Sequence, residues 1–105
     1  MKKPKVELLY WEGCPSWPRA IEIVRAEMAA AGLDPDDLAV REITTDDEAE
    51  RGRFYGSPTI LIDGHDIQDP GDNPIGLACR IYRRKDGSVS PLPDPEDIRH
   101  LLPPH

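Results

Sequence analysis

Between residues 17 and 31 the apolar side chains Trp17, Ile21, Val24, Met28 and Ala31 recur at alternating spacings of four and three. That repeat gathers them on one face of an α-helix, and the face needs a second apolar surface to cover it. Gly32 is placed to stop the helix, with Pro35 shortly after. Pro15 suits the first helical position, where a missing N–H is no loss, and Pro18 still falls within the first turn. Just upstream, Val6-Glu7-Leu8-Leu9-Tyr10 is apolar and rich in strand formers, which predicts a buried strand. The chain therefore opens as a strand that feeds a helix through Trp11-Glu12-Gly13-Cys14-Pro15.

The remaining segments continue this alternation. Leu38 to Thr44 reads as a second strand, and Thr45 with Glu48 three residues on forms a capping-box pattern that opens a short charged helix to about Tyr55. Thr59-Ile60-Leu61-Ile62 predicts a third strand, turned by Asp63-Gly64. Residues 65–77 read as a polar loop, long for a compact domain and so either functional or mobile. Cys79-Arg80-Ile81-Tyr82-Arg83 is expected to be the fourth strand, ended at Asp86-Gly87. Asp94 then caps a last helix from Pro95, with Ile98, Leu101 and Leu102 on its buried face. The order is β-α-β-α-β-β-α, an α/β fold with a central mixed four-stranded sheet in a single domain over residues 1–105. The first two strands should be parallel and joined right-handedly, the last two antiparallel.

Charge and composition narrow the function classes. A net charge of −7 repels nucleic-acid phosphates, and the one basic run, Arg83-Arg84-Lys85, reads as a solvated hairpin end. No apolar run is long enough to span a membrane. The basic start, Met1 to Lys5, is followed by too short an apolar stretch for a signal peptide, so a cytoplasmic protein is expected. Two cysteines and three histidines, His65, His100 and His105, show no zinc-ligand spacing, and no bound metal is expected. Asp66, Asp69, Asp72 and Asn73 lack the alternation of a calcium loop and read as a solvated turn.

Cys14 is the candidate reactive group. A strand that enters a helix through Gly-Cys-Pro sets the sulfur at a helix N-terminus, where unpaired N–H groups and the helix dipole favour the thiolate. The thiolate is the nucleophile, so this placement activates the cysteine, with Glu12 opposing the effect if its carboxylate lies close. The bland alternative is a small buried core residue, the ordinary fate of a free cysteine.

Two motifs together, Trp11-Glu12-Gly13-Cys14-Pro15-Ser16-Trp17 after the first strand and Gly56-Ser57-Pro58-Thr59 opening the third, resemble the thioredoxin superfamily over roughly residues 6–102. The separation of Cys14 from Pro58 is similar to the family's, and the nearest likeness is to small bacterial thioredoxin-like proteins. The resemblance implies a cis proline at Pro58, packed against the Cys14 sulfur and shaping a substrate groove. It also implies that the Ser57 backbone pairs with an extended substrate chain. Trp11 is expected to wall the site, with Pro15 and Trp17 bordering the groove. The position three after Cys14, a second cysteine in family oxidoreductases, is Trp17 here. A mixed disulfide at Cys14 would then need an outside thiol, such as glutathione, or Cys79 to release it.

Cys79 is expected at the far end of the sheet from Cys14 as a buried structural thiol. A Cys14–Cys79 disulfide stays open only if the 65–77 loop folds back and brings the two Cα atoms within about 7 Å. Three functions follow. The first is thiol–disulfide exchange at Cys14 with a protein or small-molecule thiol or disulfide as partner. The second is a non-catalytic module binding through the same groove, and the third is soft-metal or iron–sulfur handling by thiolates.

Overall fold

In the first strand, β1 (Val6–Tyr10), neighbouring side chains point to opposite faces and both faces are covered. Val6 and Leu8 enter one apolar cluster; Leu9 enters another. The computed structural model describes residues 3–102, so Met1, Lys2 and His105 lie outside the described residues.

Helix α1 (Trp17–Ala30) follows, then a 3-10 turn at Pro35–Asp37, β2 (Ala39–Glu42), α2 (Asp46–Gly52), β3 (Thr59–Ile62) and β4 (His65–Asp66). A separate hairpin of β5 (Tyr82–Arg83) and β6 (Val89–Ser90) precedes α3 (Pro95–Leu101). The main sheet runs β2-β1-β3-β4, with β1 parallel to β2 and antiparallel to β3, and β4 antiparallel to β3. Val6 faces Ile62 and Leu8 faces Ile60 across the central pair. Those four side chains meet Ala20, Val24 and Met28 of α1 and Ile98 of α3 in the larger cluster. On the opposite face Leu9 meets Ala49 of α2 and Phe54. The result is a helix–sheet–helix sandwich of mixed α/β class.

Local signals account for most boundaries. Thr45 accepts a hydrogen bond from the Glu48 amide, while the Glu48 carboxylate reaches back to the Thr44 amide and hydroxyl. That contact holds the Glu48 carboxyl below its usual range. Asp94 caps α3 by accepting from Glu96 N.

Four expectations are corrected. Helix α1 begins at Trp17 with Ser16 at its N-cap, its first bond running from Ala20 N to Ser16 O, so Pro15 precedes the helix instead of opening it. Its buried stripe is Ala20, Val24 and Met28, with Ile21 and Ala31 only partly covered. Helix α2 ends at Gly52, where Arg53 turns left-handed at φ 51°. The fourth strand of the sheet is His65–Asp66, not Cys79–Arg83. Asp63 and Gly64, at φ 53° and 82°, reverse the chain so tightly that it pairs at once with β3.

Candidate functional site

The chain turns after β1, and the Cys14 amide donates to Trp11 O within that turn. The Trp11 indole covers Gly13 so closely that a side chain there would have to displace the ring, and it packs on the smaller cluster around Leu9 and Phe54. Trp17 stacks on Tyr10 with ring centroids 4.2 Å apart. Trp17 is thus half-buried packing at the first turn of α1, and Pro15 is exposed beside it.

Cys14 itself is fully buried, and the Ser57 carbonyl oxygen lies 3.5 Å from its sulfur. The Ser57–Pro58 peptide bond is cis, as the resemblance implies. Two hydroxyls hold this corner: Thr59 Oγ1 donates to Gly56 O at 2.7 Å and Tyr82 Oη donates to Pro58 O at 2.7 Å. Burial pushes the Tyr82 phenol well above its ordinary range, so it remains a donor.

The main departure is Cys79. It is joined to Cys14 by a disulfide, with the Cα atoms 5.5 Å apart. The expectation of a remote, buried structural thiol is therefore overturned, and Cys79 is exposed. The 65–77 loop does fold back, because residues 78–80 run alongside Ser57 in an isolated parallel bridge. Ser57 N donates to Ala78 O at 2.7 Å and Arg80 N donates to Ser57 O at 2.9 Å. The backbone groups expected to meet a substrate chain are thus occupied by the protein's own segment.

Gly56 makes the approach feasible. At φ 101° it is in a region that favours glycine, and a Cβ on it would lie 2.8 Å from Arg80 N and 2.9 Å from Arg80 Cα.

Beyond Cys79, Arg80 is fully buried. Its guanidinium forks onto both Asp66 oxygens at 2.9 Å, donates to Gln68 O at 2.9 Å and sits 4.5 Å from the Tyr82 ring centroid. Such a buried cation is tolerable only because it is paired and hydrogen-bonded. Asn73 ties the loop to Ile81 by accepting from its amide and donating to its carbonyl. Gln68 does the same for Arg83. Asp66 and Asn73 therefore serve as clamps for the 79–83 segment, and Asp69 accepts from Gly71 N within the turn.

Of the residues singled out in the sequence, Cys14, Ser57 and Pro58 come together here, while the structural parts of Gly56, Asp66 and Arg80 were missed. A charged residue directly after a cysteine, inside an otherwise strand-like run, was the available signal for Arg80. The arrangement joins a buried cysteine, Cys14, to an exposed one, Cys79, through one disulfide.

Among the described residues, no helix is long and apolar enough to cross a membrane. Compared with protein-family models, with curated proteins and with solved structures, the chain matches none.

Proposed function

We propose that this chain is a thioredoxin-like thiol–disulfide exchange protein whose working pair is Cys14 and Cys79. The observation that carries the reading is the disulfide between them, formed beside Ser57 at the entry to β3. The strand order, with helices on both faces of a mixed sheet, supports the thioredoxin-like assignment. Cys79 supplies the second thiol that position 17 lacks, so no outside thiol is needed to resolve a mixed disulfide.

In one turnover the reduced pair gives two electrons and two protons to a partner disulfide. The products are two partner thiols and the Cys14–Cys79 bond. An external thiol such as glutathione, or a protein thiol, then returns the electrons. We place this cycle in a reducing cytosol, where disulfides are transient catalytic or sensing states.

The test is a titration of the wild-type protein in glutathione redox buffers, coupled to reduction of a model disulfide. The pair should titrate reversibly, and wild type should reduce the model disulfide faster than Cys14→Ser or Cys79→Ser. A Cys14–Cys79 bond that stays intact in excess glutathione would make it a structural staple and end the proposal.

A further inference from the structure

We infer that external sulfur enters this pair at Cys79, and that Cys14 reacts only with Cys79, from within. The inference rests on the exchange reading above and assigns each sulfur its partner.

Exposure separates the two residues. Cys14 is 0 % exposed, whereas Cys79 is exposed. A thiolate that opens a disulfide approaches along the S–S axis, on the side away from the departing sulfur. Cys79 borders an open surface groove of about 460 Å³ together with Pro74, Ala78, Ile81 and Val89, and Cys14 does not line it. Ile81 and Val89 are 53 % and 64 % exposed, so the groove has an apolar wall facing water.

Reduction does not by itself uncover Cys14. The segment is also held by the Ser57 backbone bonds, by the buried Arg80–Asp66 pair and by the Asn73 contacts to Ile81, none of which involves sulfur. Cys79 therefore stays over Cys14 in the dithiol state.

The steps balance as follows. The Cys79 thiolate attacks a disulfide R–S–S–R, forming a Cys79–S–S–R bond and releasing one RS⁻, which takes a proton from water. The Cys14 thiolate then attacks Cys79 Sγ, forming the internal disulfide and releasing the second RS⁻. The dithiol is oxidised by two electrons and R–S–S–R is reduced by two. Recharging runs in reverse: one thiolate R′S⁻ opens the bond at Cys79 and Cys14 departs; a second attacks the R′ sulfur, leaving Cys79 free and R′–S–S–R′ as product.

The experiment uses neutral probes, so that the protein's negative charge does not bias the comparison. Cys14→Ser and Cys79→Ser are each treated with bis(2-hydroxyethyl) disulfide across a pH series, and mixed-disulfide formation is followed by intact mass. With the thiolate fraction divided out, Cys79 should react at least about tenfold faster than Cys14 in native buffer. In guanidinium the two rates should converge.

A second measurement on the reduced wild-type protein guards against a variant that fails to fold. After a brief iodoacetamide pulse, peptide mapping should find the label first on Cys79. Label arriving first on Cys14, or equally on both, overturns the inference even if the wild-type protein cycles normally. A wild-type disulfide that no thiol can open fails the exchange reading instead, so the two failures are distinguishable.

Discussion

The backbone of Arg80 lies against Gly56 so closely that a β-carbon on Gly56 would stand 2.8 Å from the Arg80 nitrogen. This contact lets residues 78–80 pair with Ser57 and carries Cys79 to Cys14. Gly56→Ala adds both the clash and a side chain at φ 101°. The oxidised variant should lose about 2 kcal/mol of stability, the usual scale of such local strain. Its Cys14–Cys79 bond should also form more slowly in a glutathione buffer. Denaturant titration and quenched alkylation read the two effects, and wild-type values in both would show that the approach is not limiting.

The Arg80–Asp66 pair should behave as a buried ion pair in which the loss of one partner is worse than the loss of both. Asp66→Asn leaves a fully buried guanidinium without its countercharge and should cost about 3–5 kcal/mol. Adding Arg80→Met, which keeps the apolar stem, should recover much of that loss. Unfolding free energies of the two single variants and the double variant form the cycle. A double variant less stable than Asp66→Asn alone would contradict this account.

Reduction of Cys14–Cys79 opens a covalent loop of sequence separation 65. On the chain-entropy view, closing a loop of that length stabilises the fold by about 4 kcal/mol. The melting temperature of wild type should fall on adding reductant, whereas that of Cys79→Ser should not change. An equal response of the two proteins would mean that reductant acts elsewhere.

Tyr82 connects stability to alkaline pH. Burial raises its phenol above the ordinary value of 10.0, so the folded chain keeps a proton that the unfolded chain releases above pH 10. Stability from this group is complete below that pH and is lost as pH rises further. Tyr82→Phe should flatten this alkaline decline and, at neutral pH, leave Pro58 O without its donor. Unfolding followed at pH 8 and pH 11 checks both effects. An unchanged alkaline slope would assign it to other tyrosines.

How much of this was legible beforehand depended on how local each signal is. Val6–Tyr10 as a strand and the Thr45–Glu48 cap each follow from fewer than ten neighbouring residues, and each stands in the folded chain. The first helix was also legible, with Val24 and Met28 on its buried stripe as read, but it starts at Trp17 rather than Pro15 and Ala20 completes the stripe in place of Trp17. The small Ala20 side chain faces the sheet, and the bulky Trp17 goes to the margin, where it stacks on Tyr10. Apolar periodicity alone ranks large side chains above small ones and so chose Trp17 over Ala20 at the start of the stripe.

The path of residues 67–83 was not legible, because nothing periodic guides it. It is held by single long-range contacts: Arg80 on Asp66, Asn73 on Ile81, and Gln68 on Arg83. Read as isolated polar residues, these suggest a solvated loop; only in three dimensions are they clamps.

By itself, the amino-acid order determined a strand–helix start with Cys14 at the turn and a Ser-Pro corner opening a later strand, since turn chemistry and apolar spacing act over a few residues. Tertiary structure alone decided that Cys79 would reach Cys14. That meeting depends on a glycine without a side chain at position 56 and on a buried charge pair that draws distant segments of the chain together.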